Sequence, residues 1–386
     1  MLPNRNLSLT VCATVFLVIV FPLCAVDQTR VQALQRAATL IERHELTAAE
    51  AALQPLLYKA ADDGLALNLL GVVRMEQQKP DQAEKLFHQA IEADARIIGP
   101  HVNLARLYAT ERPFDAIAEL KQALILKADN PQAESLLRAI AKQCAFSAAR
   151  SGDKGKALGI LLRARDVLPH DPELLYELGL VALDSNLYQD AQNLLEQALV
   201  ARPEYHDVMY ALARAYLGEN MGKQAEAQMR KYLAGKPEDA SAQYGLGYIL
   251  MAEQKLKEAR AAFEKSLALQ PNQTESVFQL GEIAIEQGNG DVARQNFLKV
   301  LSRDPHHAGA LTELGILAYR ASHYSEAKTN LEQAVTSTPS YQKAHYYYAL
   351  TLTKLGDKTT ADREFELSRS LQKTHTTNSH LALTQP

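Results

Sequence analysis

The chain has no tryptophan, only three cysteines and an aromatic share of just 6% over 386 residues. Two of the cysteines, Cys12 and Cys24, precede Ala25, so Cys144 stands alone beyond that point and no disulfide framework supports the fold. A basic excess is also missing. Forty-one Lys and Arg face 45 Asp and Glu, a formal net charge of -4, and the electrostatic footprint of a nucleic-acid binder is absent. With 18 Gly and 15 Pro the chain is too poor in both for a collagenous or low-complexity protein, and 47% hydrophobic residues are too many for general disorder. Long apolar runs are confined to one, Leu7 to Phe21; no later segment approaches the roughly 20 apolar residues that cross a bilayer.

That run follows a single charge at Arg5 and is closed by Pro22 and short residues ending at Ala25, the n-, h- and c-region order of a secretory signal. Residues 1–25 are therefore read as a signal peptide, with the remainder expected in the periplasm, the cell envelope or the secreted space. Leu23 stands where a small residue is preferred before the cut, which keeps an N-terminal membrane anchor as the alternative.

What the chain does have is a period. Pro169, Pro203, Pro237, Pro271, Pro305 and Pro339 follow one another at a constant step of thirty-four. Ten positions after each stands Gly179, Ala213, Gly247, Gly281, Gly315 or Ala349; twenty-two after stands Ala191, Ala225, Ala259, Ala293, Ala327 or Ala361; and twenty-six after stands Leu195, Met229, Phe263, Phe297, Leu331 or Phe365. Within a period the apolar positions recur at three- and four-residue steps in two blocks around a polar break, which predicts two amphipathic helices joined by a turn. The tiny residues let the two helices approach closely and the large ones fill the space beside them. Upstream the spacing slips. The step from Ala116 to Ala157 is seven positions too long, about two helical turns, and predicts a lengthened first helix through Ala141 and Cys144.

The pattern Tyr244-Gly245-Leu246-Gly247, then Ala259, Phe263 and Pro271, resembles the tetratricopeptide repeat, with Tyr or Phe in place of the family's early Trp. The resemblance implies an all-α fold, an α-solenoid superhelix of about ten helix-turn-helix units. The organisation expected is a signal at 1–25, divergent repeats at 26–137, a regular array at 138–375 and a disordered tail at 376–386, which leaves the last pair partly uncapped and open to self-association.

Catalytic patterns do not survive inspection. His44-Glu45 lacks the second histidine of a zinc protease, and Gly152-Asp153-Lys154-Gly155-Lys156 lacks the frame of a phosphate loop. His306-His307 lies in a polar loop without an acidic or cysteine cluster, and Cys144 occupies an apolar column. The expectation is a protein that is not an enzyme and uses no cofactor and no metal.

Helical spacing puts the fourth, seventh, eleventh and fourteenth positions after each proline on one stripe of the first helix, distinct from the face that meets the second helix. The resemblance implies that this stripe lines a concave surface that binds peptide segments. The candidates are Tyr176, Tyr210, Tyr244, Phe278 and Tyr346 at the seventh position, Arg214, Tyr248 and Glu282 at the eleventh, and Met251 and Tyr319 at the fourteenth. The seventh-position aromatics have a second reading, as packing between adjacent pairs. Acidic residues, among them Glu173, Glu177, Asp207, Glu275, Glu282, Glu286 and Glu313, edge the middle of the stripe, and Arg320, Lys343 and Lys354 mark its end. The partner expected is a protein or peptide segment with apolar anchors and a basic stretch; a small molecule or glycan in a closed pocket near Tyr244, Tyr248 and Met251 is the alternative.

Overall fold

The computed structural model describes residues 28–381, with side chains as far as residue 372, so the signal-peptide reading of 1–25 lies outside the described residues. It divides into two compact units, one ending at Glu177 and one beginning at Leu178. In the first unit α1 (Gln28–Glu42), α3 (Gly64–Glu76), α5 (Ile98–Tyr108) and α7 (Pro131–Arg150) each pack on the helix that follows: α2 (Leu46–Lys59), α4 (Pro80–Ala93), α6 (Pro113–Leu126) and α8 (Lys154–Val167). The boundary falls inside α9 (Pro172–Asp184), which precedes α10 (Tyr188–Ala201). The second unit continues with α11 (His206–Gly218), α12 (Gly222–Gly235), α13 (Ala240–Ala252), α14 (Leu256–Leu269), α15 (Thr274–Glu286) and α16 (Gly290–Leu301). It ends with α17 (Ala308–Arg320), α18 (Tyr324–Ser337), α19 (Gln342–Leu355) and α20 (Lys358–Leu381). All 20 elements among the described residues are helices, an α-solenoid of paired helices in which each second helix also stacks on the next first helix within its unit.

The periodic columns have the packing roles expected of them. A Cβ on Gly281 would stand 2.5 Å from Cε1 of Phe297, and one on Gly315 would stand 2.5 Å from Cγ of Leu331. Gly71 meets Phe87 in the same way in the first unit, and Gly179 meets Leu195 in the second. The sequence separation is the same in each contact, so the glycine of one helix is the floor on which the large side chain of its partner rests. The alanine column is closed to solvent in both units: Ala49, Ala83, Ala116, Ala225, Ala259, Ala293 and Ala327 are all fully buried. The periodic prolines precede the first helix of a pair by three residues, as Pro271 precedes Thr274, where a missing N–H interrupts no helix.

The turn inside each pair repeats as strictly. Gly152, Asn186, Asn220, Gln254, Gly288, Ser322 and Gly356 recur at the same step as the prolines, and every one has φ between 58° and 86°. Helix α7 has 20 residues against the 13 of α9, α11 and α13, which accommodates the excess of seven, and Cys144 within it donates its thiol hydrogen to the Ala109 carbonyl oxygen at 3.0 Å. At the other end α20 runs to Leu381, beyond the expected limit of 375. The residues from Gln372 to Leu381 include neither Gly nor Pro, so nothing in the backbone stops the helix.

Candidate partner-binding surface

The seventh-position column is anchored at one side. The Tyr210 ring lies 5.3 Å from that of Tyr232, Tyr244 lies 5.7 Å from Phe263, and Phe278 lies 5.5 Å from Phe297, each pair joining the two helices of one repeat. Phe278 is then covered by His307 of the next pair at 5.0 Å. Burial accordingly pushes the Tyr210 and Tyr244 hydroxyls up. The contacts are those of the packing reading of this column: the three rings are half-buried packing elements. Thr312, the one non-aromatic member in the second unit, is fully buried and donates to the Ala308 carbonyl. Tyr176 belongs to the first unit.

Tyr346 is the exception. It is 43% exposed, with its ring 6.0 Å from Phe365 and 5.4 Å from Tyr347. Tyr347 lies 6.3 Å from Tyr319, which in turn lies 5.7 Å from Tyr324, so five aromatic side chains form a connected run over α17 to α20. Sequence reasoning found Tyr319 and Tyr346 but missed Tyr347. Its signal was the run Tyr346-Tyr347-Tyr348: with about 3.6 residues per turn, three in a row spread over several faces of a helix, and here Tyr348 enters the core, Tyr347 is half-buried and Tyr346 faces out.

The eleventh-position column runs from exposed to buried along the array. Arg214 is exposed and Tyr248 is 48% exposed, whereas Ile316 is buried. Met251 and Tyr319, one turn further on, are half-buried. Tyr248 thus presents an aromatic ring from a rigid helix without being consumed by the packing of its own pair.

The charges are less segregated than the sequence suggests. Glu177 receives Lys142 at 2.8 Å, Asp207 receives Lys236 at 2.6 Å, and Glu275 lies 3.3 Å from His307. Lys343, expected as part of a basic end, is instead bound to buried Glu313 in a close ion pair that spans α17 and α19. That correction has a simple cause. Stacking the pairs brings these two positions on successive first helices face to face, and burying Glu313 at 4% exposure demands a counter-charge. Burial pushes Lys343 down, but the Glu313 carboxylate outweighs it and holds the ammonium above its usual range.

Glu282 on α15 is in a different state. Its Oε1 is shielded from solvent and accepts no hydrogen bond among the described residues. Burial, reinforced by the charges of Glu313 and Glu286 and only partly offset by Lys343, pushes its carboxyl up to about 7. Among the described residues no group of three or more His, Cys, Asp or Glu side chains converges as a metal site would require, and no helix is long and apolar enough to cross a membrane.

Two family models match the chain. The tetratricopeptide-repeat domain of cytochrome c-type biogenesis protein H matches residues 223–344, and a general tetratricopeptide repeat matches residues 182–247. No curated protein matches. Among solved structures, MamA from Desulfovibrio magneticus is 23% identical, covering 44% of this chain and 97% of that one at a TM-score of 0.42. Cut9–Hcn1 of the APC/C hetero-tetramer is 16% identical over 91% of this chain and 83% of that one, with a TM-score of 0.48. A repeat protein from Parabacteroides merdae is 16% identical over 66% and 98%, with a TM-score of 0.47.

Proposed function

We propose that this chain, a tetratricopeptide-repeat protein, is a non-enzymatic scaffold that holds an extended protein segment along the first-helix stripe of its second unit. The observation that carries the reading is Tyr248: a large aromatic side chain, half exposed on a helix whose backbone is fixed by packing on both sides. Aromatic anchors on rigid supports concentrate binding energy because they lose little conformational freedom on contact. Tyr319 and Tyr346 extend the apolar surface toward the end of the array, Tyr210, Tyr244 and Phe278 offer ring edges along it, and Met251 supplies an adaptable contact beside Tyr248. Arg214 completes the set within that unit. The regular array at 138–375 works through its portion from Leu178 onward, and 1–25 directs the chain to the periplasm or beyond; the match to a domain named for cytochrome c-type biogenesis supports that location and favours a narrower role in assembling an exported protein.

The test is selection from a displayed library of random linear peptides by the full chain and by a variant carrying Tyr248→Ala and Tyr319→Ala. Peptides with recurrent apolar positions should be enriched by the native chain and lost, by tenfold or more in affinity, from the variant. Enrichment that ignores both substitutions, or turnover of substrate by the purified chain, would sink the reading.

A further inference from the structure

The cations of the chain are unevenly placed. From Ser135 to Arg165, across α7 and α8 of the first unit, seven Lys and Arg face the single carboxylate of Asp153, in a sequence whose net charge is -4. Part of this charge is used inside the fold: Arg138 holds Asp171 at 2.7 Å, Lys142 holds Glu177 at 2.8 Å, and Arg165 lies 3.7 Å from Asp166. Arg150, Lys154, Lys156 and Arg163 are exposed, and their side chains make no hydrogen bond or ion pair among the described residues. Asp153 is spent as the cap of α8, where its side chain accepts from the Lys156 N–H at 2.8 Å. Lys154 and Lys156 stand in the first turn of that helix, which holds no acidic residue, although the positive end of the helix dipole favours one there.

Large apolar side chains are exposed beside these cations. Phe146 on α7 is 64% exposed, and the Arg150 guanidinium lies over its ring at 5.8 Å. Phe114, at the start of α6, is 44% exposed. A Cβ on Gly159 would stand 3.5 Å from its Cζ, which puts that ring on the face of α8 that carries Lys156 one turn earlier. Leu158, one turn after Lys154, is exposed as well. On each side of the turn at Gly152, then, a bare phenylalanine accompanies an uncommitted cation. Packing asks for neither the open rings nor lysines at a helix N-terminus. Cations interspersed with bare aromatic and aliphatic side chains match the surface of a bilayer with anionic headgroups, where the rings enter the boundary between headgroups and acyl chains and the charged heads stay with the phosphates. We propose that the α7–α8 hairpin docks the protein on an anionic membrane surface without crossing it. The docking surface belongs to the first unit and is independent of the peptide-binding stripe of the second.

The chain has no tryptophan, so Phe146→Trp installs a single indole whose emission reports contact with lipid at this hairpin, whatever other segments do. The full chain carrying Phe146→Trp is titrated with vesicles of phosphatidylcholine alone and with vesicles that also contain phosphatidylglycerol. With the anionic vesicles the emission should shift to the blue and become shielded from acrylamide at low salt, and the shift should fade at high salt as the attraction is screened. Each cation near an anionic surface contributes roughly fivefold to binding. Adding Arg150→Gln, Lys154→Gln and Lys156→Gln should therefore raise the anionic lipid needed for the same shift by tenfold or more, and neutral vesicles should be as weak. The three side chains are exposed, so their replacement leaves the fold intact. Tyr248→Trp in an otherwise native chain, a reporter in the second unit, should show no shift. No response to either vesicle, an equal response to both, a response that ignores the three substitutions, or the same shift from Tyr248→Trp overturns the docking surface. Emission that responds to soluble polyglutamate and not to anionic vesicles overturns it in favour of an acidic protein partner.

Discussion

The inside of a helix pair and the stripe on its open face obey the same period, yet they differ in what recurs. Between the helices the residues themselves repeat. Gly247, Gly281 and Gly315 meet Phe263, Phe297 and Leu331 at one spacing and nearly one distance, and Ala259, Ala293 and Ala327 on the facing helices are all fully buried. On the stripe only the positions repeat: the eleventh-position column reads Arg214, Tyr248, Glu282 and Ile316 in successive pairs, from exposed to buried. Where close packing decides the residue, the choice is narrowed to Gly or Ala on one helix and to Ala beside a large apolar side chain on the other. Where it does not, the residue is free to serve something outside the fold.

Truncating the packed side of this comparison should have the largest effect. Phe297→Ala removes a fully buried ring that fills the space over Gly281 and touches Phe278, and should cost about 3–5 kcal/mol. Because a repeat array unfolds in parts, amide hydrogen exchange is the proper measurement, with the loss of protection centred on α15 and α16. Tyr248→Ala, on the stripe, should change exchange by less than about 0.5 kcal/mol while weakening peptide binding. If both substitutions cost the same stability, the division between packed interior and free stripe is wrong.

Next is overfilling the same contact. Gly281→Val places two methyl groups where a Cβ alone would already stand 2.5 Å from Phe297, and either the helices separate or the ring leaves its rotamer. The expected cost is about 1–3 kcal/mol, read as a lowered thermal midpoint and as loss of protection in the same two helices. Combining it with Phe297→Leu should recover part of the loss, since the smaller side chain relieves the crowding.

Glu282 gives the stripe a measurable effect of its own. Its carboxyl titrates at about 7 in the folded chain and near the ordinary 4.5 when unfolded, so between those values the native state holds the extra proton. Stability should therefore fall as the pH rises from about 4.5 to 7 and stay lower above it, by ~1–2 kcal/mol after allowance for partial access of solvent. Denaturation of the native chain and of Glu282→Gln at pH 5 and pH 8 isolates this contribution from every other titration. The variant should be the more stable at pH 8. Equal pH slopes would show that Glu282 is ionised without penalty, and the stripe would then hold no strained charge.

How far these features are legible in the sequence follows from what each depends on. The helix pairs, the lengthened α7 and the anchoring of Tyr244 by Phe263 depend on local spacing and on columns that recur, both visible in one dimension. The Glu313–Lys343 pair is invisible there because it joins different pairs and depends on how far one rotates on the next. Glu282 reads as acidic and on the stripe, but the charges that act on it include Glu313 and Lys343, which arrive from two other helices, α17 and α19. Nor does the exposure of Tyr346, against half-burial of Tyr210 and Tyr244, show in the letters, which are the same in all three.

The smallest effect is expected at the turn inside the pairs, where the backbone repeats and the residue does not. Gly152, Gly288 and Gly356 adopt positive φ at no steric cost, and nothing lies within 4 Å of a Cβ built on any of them. Gln254 has the same backbone at φ 60° and Ser322 at 63°, where an L side chain crowds its own carbonyl. Asn186 and Asn220 tolerate the region better because a short amide can bond locally. Gln254→Gly should therefore stabilise the α13–α14 pair by about 0.5–1 kcal/mol, less than the full steric relief because glycine also loosens the unfolded chain. Gly288→Gln should destabilise α15–α16 by a similar amount, and Asn220→Gly should change α11–α12 by less than either. If Gln254→Gly is neutral while Gly288→Gln is costly, the two turns differ in more than their backbone angle, and the equivalence of the pairs ends at the turn.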